Sequence, residues 1–173
     1  MLRDDLLERL ERLDEDAYLL YPGEKRFHLV IVGGSALILL EVISRSTLDI
    51  DAINVSGEIR GLLGRYDINC DVQTYINNFP YNYEDRLNPL PIQGKKIDFY
   101  TASLEDIVIA KLFSYRDTDR QDIIKDTVVK ALDWALLDQI VRSEEEVKKN
   151  ALNERNYQDF LFDYEEYVRR YKP

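Results

Sequence analysis

One apolar run in this chain ends directly at a pair of glycines, and this junction limits the possible folds more than any other feature. Residues 27–32 are apolar with almost no alternation, which predicts a strand buried on both faces. Gly33-Gly34-Ser35 follows at once, and a second apolar run continues to about Ile43. Because glycine permits a tight turn, we expect the strand to lead straight into a helix. The same glycines would equally suit a bare strand-to-helix turn with no ligand.

Two aspartates begin the next predicted strand, which covers residues 49–55. Asp49 and Asp51 are two positions apart, so on a strand they project from one face with Cα atoms about 6.5–7 Å apart. Paired carboxylate oxygens of this kind suit a hard divalent cation such as Mg²⁺. The plainer interpretation is a pair of surface acids that face water.

A third aspartate, Asp98, interrupts the predicted strand at residues 96–101. Carboxylates near a core repel one another and lose hydration, so three that converge are best explained by cations between them. Asp71 competes for the place of the third acid. An edge strand with acids toward solvent is the alternative for Asp98.

The remaining sequence is mostly helical in pattern and predicts an α/β protein with a helical C-terminal part. A catalytic core is expected over residues 1–102, with helices packed on it over residues 103–173. Ser103 is expected to cap the first helix of that part. The predicted helices cover residues 1–16, 33–43, 57–66, 104–116, 119–132, 134–149 and 152–171.

Composition excludes several classes of site. The chain of 173 residues has one cysteine, Cys70, and one histidine, His28, so neither a thiolate zinc cluster nor a multi-histidine metal site can form within it. The net charge of −10 opposes nucleic-acid binding unless basic residues cluster locally. No signal peptide or membrane-spanning run is apparent, so we expect a cytoplasmic protein with no membrane partner.

These motifs together resemble the nucleotidyltransferase superfamily with the DNA polymerase β-like core. Within that superfamily the arrangement is similar to small bacterial and archaeal nucleotidyltransferase-like proteins, including AbiEii-type toxins of toxin–antitoxin systems. A later segment, Ser103 to Asp122, also resembles a helix pair of these proteins. The residues that carry the resemblance are Gly33-Gly34-Ser35-Ala36, Arg45, Thr47, Asp49-Ile50-Asp51, Asp98, Lys111, Arg116, Asp119 and Asp122.

The resemblance implies a mixed sheet flanked by helices and transfer of a nucleoside monophosphate from an NTP to a hydroxyl acceptor. Asp49 and Asp51 would bind two Mg²⁺ or Mn²⁺ ions, and Asp98 would bind one of them and help to deprotonate the acceptor. Ser35 and the backbone of Gly34 would hold the β- and γ-phosphates. RNA, a protein or a small molecule is expected as the acceptor, and an antitoxin or a second copy of the chain as a partner.

Three basic residues have two interpretations each. Lys111 is the single charge within an apolar helix segment and either reaches the triphosphate or extends to water. Arg116 contacts phosphate or pairs with Asp119 or Asp122. Arg45 contacts phosphate or keeps Asp49 ionised.

The last predicted helix carries an aromatic stripe, which most often indicates packing. Base stacking on an RNA acceptor, or an interface with a partner, is the alternative. The stripe consists of Tyr157, Phe160, Tyr164, Tyr167 and Tyr171.

A second functional hypothesis follows from the acidic surface, namely a catalytically inactive protein of the same fold that binds another protein.

Overall fold

The structure, a computed structural model, describes residues 1–71 and 73–173. The chain divides into two units by the density of its internal contacts. The sheet unit comprises Met1–Val72 and Leu87–Ala102, and the helical unit comprises Gln73–Arg86 and Ser103–Pro173. The sequence prediction placed the boundary at residue 102, whereas this division assigns residues 73–86 to the helical unit as well.

A mixed sheet forms the centre of the sheet unit. Over the described residues it has five strands in the order β3-β2-β1-β5-β4. The strands are β1 (Phe27–Val32), β2 (Ile50–Ile53), β3 (Ile68–Asn69), β4 (Asn88–Pro89) and β5 (Ile97–Thr101). The predicted α/β class with a mixed sheet and a helical C-terminal part is confirmed.

Helices cover this sheet, and short helical turns join its strands. The helices are α1 (Arg3–Leu20), α2 (Gly33–Leu39) and α3 (Arg60–Leu63), and 3-10 turns lie at Gly57–Ile59 and Gly64–Tyr66. The prediction for α2 was too long by about one turn. Glu41 has φ +61°, a left-handed conformation that a continuing right-handed helix cannot contain.

The central strand β1 fixes which ends of the other strands meet. It runs parallel to β5, with His28 opposite Asp98 and Ile31 opposite Thr101. It runs antiparallel to β2, with Val32 opposite Asp51. The carboxyl end of β1 therefore lies beside the start of β2 and the end of β5.

A buried carboxylate joins α1 to the start of β5. Asp14 is 4% exposed, and its two oxygens accept hydrogen bonds from the backbone N–H groups of residues 95, 96 and 97 at 2.6–2.8 Å. Gly94 allows this approach, because a Cβ atom there would overlap the carbonyl oxygen of Ile97 and lie 3.2 Å from Asp14 Oδ1. This contact sets the position of β5 against α1.

The helical unit contains shorter helices than the sequence predicts. Two of the long predictions, residues 119–132 and 134–149, are each broken into a pair of helices, while the final helix is confirmed. The helices are α4 (Gln73–Ile76), α5 (Leu104–Phe113), α6 (Asp117–Ile123), α7 (Asp126–Ala131), α8 (Trp134–Arg142), α9 (Val147–Asn150) and α10 (Glu154–Tyr171), with a 3-10 turn at Tyr83–Arg86.

A half-buried arginine attaches the segment before residue 87 to this unit. Arg86 donates through Nε and Nη2 to Asp106 and through Nη1 and Nη2 to Glu146, at 2.9–3.2 Å. Asp106 is fully buried in the first turn of α5, which Ser103 caps as predicted. Asn150 also donates to the carbonyl oxygens of Ile76 and Phe79. These bonds explain why residues 73–86 belong to the helical unit.

Four of the five aromatic residues of the α10 stripe are buried by packing, and Tyr171 at its end is half-buried. Phe160 stacks on Phe113 with ring centroids 4.3 Å apart, and Tyr167 stacks on Trp134 at 5.5 Å. The hydroxyl groups of Tyr157 and Tyr167 donate to the carbonyl oxygens of Val141 and Ile123. With their rings buried and their hydroxyl groups engaged, these side chains are not available for base stacking.

Within residues 1–71 and 73–173, no helix combines the length and the apolar composition that crossing a membrane requires.

We predict that replacing Asp14 by alanine lowers the free energy of unfolding by about 3 kcal/mol or more. The substitution leaves two buried backbone N–H groups and one part-buried N–H group without acceptors, and each buried group costs about 1–3 kcal/mol. Urea unfolding followed by circular dichroism measures the change. Glu15→Ala is the control, because Glu15 is exposed on the same helix; equal losses in the two variants would contradict the role given to Asp14.

Candidate active site

The turn between β1 and α2 holds a glycine in the left-handed conformation. Gly33 has φ +66°, which costs other residues roughly 1–2 kcal/mol. A Cβ atom at Gly33 would also lie 3.1 Å from Asp51 Oδ2. Both the backbone and the neighbouring carboxylate therefore require glycine here, and Asp51 lies directly against the turn.

The second glycine accommodates a guanidinium group. A Cβ atom at Gly34 would overlap Arg45 Nη2 and lie 3.2 Å from Arg45 Cζ. Arg45 is half-buried in the loop between α2 and β2, and its Nη1 lies 3.4 Å from the carbonyl oxygen of Ser46. The turn thus has a carboxylate at its first glycine and an arginine at its second.

Ser35 faces inward. It is 2% exposed, and its hydroxyl donates to the carbonyl oxygen of Val32 at 3.1 Å. This bond ties the first turn of α2 back to the end of β1. The Ser35 hydroxyl was predicted to contact phosphate, but in the structure it is bonded to the backbone. Ser35 therefore stabilises the turn.

Asp49 lies just before β2 and is exposed. Its carbonyl oxygen accepts a hydrogen bond from Thr47 Oγ1 at 3.1 Å. The backbone of Thr47 in turn exchanges two hydrogen bonds with Met1. The loop that carries Arg45 and Asp49 is thereby held near its β2 end by the segment before α1.

An asparagine that the sequence analysis did not single out lies beside Asp51. Asn69 on β3 is paired with Asp51 in the parallel register, and Asn69 Nδ2 is 3.4 Å from Asp51 Oδ1. Asn69 Oδ1 also accepts the backbone N–H of Asp71 at 3.0 Å. Asp71, the competing third acid, therefore connects to Asp51 through Asn69, but through its backbone rather than its carboxylate.

Asp98 does not join Asp49 and Asp51. It shares the sheet face of Asp51, but it is level with His28, whereas Asp51 is level with Val32 four residues further along β1. At about 3.3 Å per residue this separates the two levels by roughly 13 Å. Asp98 instead forms an ion pair of 2.6 Å with Arg26. The expectation of three converging carboxylates is corrected accordingly.

The acids that remain define what kind of metal site the sheet unit offers. Among the described residues, no group of three or more histidine, cysteine or acidic side chains is arranged to hold a metal ion. Mg²⁺, however, is often held by only one or two carboxylates together with substrate phosphates and water. Asp51 beside Gly33 and the exposed Asp49 just before β2 supply the number of carboxylates that this second arrangement needs, in which the nucleotide supplies further ligands.

In the helical unit, Lys111 is neutralised by two carboxylates. It is 5% exposed, and its Nζ lies 2.5 Å from Asp119 Oδ1 and 3.1 Å from Asp122 Oδ2. The side chain does not extend to water, because both carboxylates engage its Nζ inside the helical unit. Lys111 forms a buried charge cluster that joins α5 to α6.

Arg116 precedes α6 and has an exposed side chain. Its Nε is 4.0 Å from Asp119 Oδ2, and its Nη1 is 3.4 Å from the Tyr75 hydroxyl. Of the two interpretations offered by the sequence, pairing with Asp119 is present. The burial of Asp119 opposes its ionisation, but hydrogen bonds from Lys111 and Ser114 outweigh that effect and hold the pKa of Asp119 below its ordinary value.

Comparison with known proteins gives one match. Residues 8–172 match a family described as "Nucleotidyltransferase of unknown function (DUF6036)". The chain belongs to this family. No curated protein and no solved structure matches the chain. Membership supports the predicted nucleotidyltransferase superfamily, while the narrower resemblance to AbiEii-type toxins stays a prediction.

For this nucleotidyltransferase family member, we predict that Gly33→Ala lowers the free energy of unfolding by about 1–2 kcal/mol, because alanine is strained at positive φ. Urea unfolding measures the loss. Gly61→Ala is the matched control: a Cβ atom there meets nothing within 4 Å, and alanine within a helix is expected to be neutral or to stabilise by up to about 1 kcal/mol. Equal effects at the two glycines would contradict the strained turn.

We also predict that Asp119 makes the free energy of unfolding depend on pH in the acidic range. Because its pKa is lowered in the fold, its contribution is fully present above its ordinary pKa of 3.8 and is lost as pH falls through the lower folded value. Asp119→Asn should cost about 2 kcal/mol at neutral pH and should flatten the decline below pH 3.8. Urea unfolding as a function of pH measures both effects. The exposed Asp117→Asn is the control, and a variant that declines as steeply as the wild type would refute the assignment.

Proposed function

We propose that this protein is a metal-dependent nucleotidyltransferase that moves a nucleoside monophosphate from an NTP to a hydroxyl acceptor. The observation that carries the proposal is the pairing of Asp51 with Gly33 and of Arg45 with Gly34 on one turn. An oxygen ligand for a cation and a guanidinium for phosphate are thereby placed side by side. Family membership agrees with this class of activity.

In the proposed complex, Asp49 and Asp51 hold Mg²⁺ or Mn²⁺ together with the nucleotide's phosphates. When bound, the metal supplies neutralisation of phosphate charge and polarisation of the α-phosphoryl group. Asn69 fixes the orientation of the Asp51 carboxylate from the neighbouring strand. Asp51 thus has a structural partner that would limit its rotation before the nucleotide arrives.

Arg45 and the turn bind the β- and γ-phosphates. Without a Cβ atom, Gly34 leaves room for the Arg45 guanidinium against the turn, and a guanidinium forms paired hydrogen bonds with phosphate oxygens. Ser35 acts indirectly, since its hydroxyl holds the turn through Val32. The arrangement concentrates positive charge on the leaving pyrophosphate, where negative charge develops during transfer.

Two further parts of the proposal concern the rest of the chain. Lys111 and Arg116 are assigned to phosphate contact by resemblance alone, and such a contact requires Lys111 to exchange a carboxylate for a phosphate. Membership of a toxin–antitoxin pair is likewise proposed from resemblance. Growth arrest on expression, relieved by an adjacent gene product, tests that part separately.

The test of catalysis is the transfer of label from α-labelled NTPs to acceptors in a cell extract in the presence of Mg²⁺. We predict that Asp49→Asn and Asp51→Asn each lower the rate by at least about a hundredfold, because each removes a ligand of the cation that would stabilise the charge of the transition state. The exposed Asp4→Asn serves as the control for loss of one acid. Absence of label with all four nucleotides, or full activity in Asp51→Asn, would refute the proposal.

A second candidate function is a catalytically inactive member of the family that binds another protein. The ion pair between Asp98 and Arg26 favours it, because that acid is held away from Asp51. This function predicts that a partner co-purifies equally with wild type and with the Asp49→Asn, Asp51→Asn double variant. It also predicts no transfer with any nucleotide.

A further inference from the structure

A cleft in the sheet unit contains three arginines and lies outside the glycine turn. The cleft has a volume of about 350 Å³ and lies between α1 and the 3-10 turn at Gly64–Tyr66. This volume is at the lower end of the range for small-ligand sites. Its basic side chains are Arg9, Arg12 and Arg65.

The acids of the cleft leave one of these arginines unpaired. Arg9 pairs with Asp67 and Arg12 with Glu8, while the carboxylate of Asp5 accepts the backbone N–H of Leu2. Among the described residues, Arg65 makes no hydrogen bond or ion pair, and it is exposed. The side chains of the cleft carry three positive and three negative charges, so it is close to neutral in a chain of net charge −10, and Arg65 is the donor that no acid of the cleft engages.

Two backbone contacts place the cleft next to the candidate active site. The carbonyl oxygen of Asp67, a cleft residue, accepts the N–H of Ile50 at 2.9 Å, and Ile50 lies between Asp49 and Asp51. Met1, which also lines the cleft, exchanges backbone hydrogen bonds with Thr47. A ligand in the cleft would therefore lie one strand segment away from the two carboxylates.

We propose that this cleft binds phosphate groups of the acceptor and so positions its hydroxyl for transfer. The inference rests on the proposed function. In nucleotidyl transfer the attacking and leaving oxygens are roughly in line, so the acceptor needs an attachment point separate from the turn that holds the NTP. Arginines suit that task because the guanidinium binds phosphate oxygens in pairs.

The direct test is fluorescence anisotropy with a short, labelled, single-stranded RNA in the presence of EDTA and without nucleotide. We expect Arg12→Ala and Arg65→Ala each to weaken binding about tenfold and to lower the salt slope by about one. Both side chains are exposed, so the fold should be retained. Arg60→Ala, which removes an exposed arginine of the same unit outside the cleft, should bind as the wild type does.

Competition with unlabelled DNA of the same length and with AMP identifies the source of the phosphate. If AMP does not displace the labelled RNA, the cleft binds a phosphodiester strand. If AMP displaces it, the cleft binds a single phosphate group. Both results support phosphate recognition. No binding, or an equal loss in Arg60→Ala, overturns the proposal.

Transfer kinetics separate this inference from the proposed function. If both hold, Arg65→Ala raises the KM for the acceptor and leaves the KM for the NTP unchanged. Binding in EDTA without any transfer activity would refute the proposed function alone. Transfer with an unchanged acceptor KM in Arg65→Ala would refute the acceptor site alone.

Discussion

The close approach of the Asp51 carboxylate to the Gly33 backbone is the contact on which the candidate site depends. It exists because β1 ends in a left-handed glycine and because the antiparallel register sets Val32 opposite Asp51. A side chain at either glycine would displace the acid or the guanidinium of Arg45. The geometry of the turn and the identity of its polar neighbours are therefore one constraint.

The two units satisfy buried charge in different ways. In the sheet unit, the Asp14 carboxylate accepts hydrogen bonds from three backbone N–H groups at the start of β5, which would otherwise lack acceptors. In the helical unit, Arg86 joins a buried carboxylate on α5 to Glu146 before α9. The burial of Glu146 opposes its ionisation, but hydrogen bonds from Arg86 and Asn82 outweigh this and lower its pKa. Each cluster connects segments distant in sequence, and removal of one member would leave its partners uncompensated.

Sequence patterns predicted those elements whose signal is local. The apolar run of β1, the glycines after it and the Ser103 cap are each determined by neighbouring residues, and all are present. The placement of Asp51 beside the glycine turn could also be predicted, because the resemblance implies one site that contains both. The breaks in the helices predicted within residues 119–149 could not be predicted, because they follow from tertiary packing rather than from glycine or proline.

The failures at the site have a common cause, which is strand register. Whether Asp98 stands beside Asp51 depends on which residue of β1 it faces, and a strand's own sequence does not specify this. Asn69 was missed for the same reason, because its importance comes only from its pairing with Asp51. Lys111 shows the related limit for charge: the residue was recognised as unusual, but its buried carboxylate partners follow from the packing of α5 on α6.

Calorimetric titration with a non-hydrolysable NTP and Mg²⁺ tests the central claim most directly. The account predicts metal-dependent binding by the wild type, binding at least about tenfold weaker in Asp51→Asn, and unchanged binding in Asp98→Asn, whose carboxylate pairs with Arg26. Wild-type affinity in Asp51→Asn, or an equal loss in Asp98→Asn, would contradict the assignment of the site to the glycine turn.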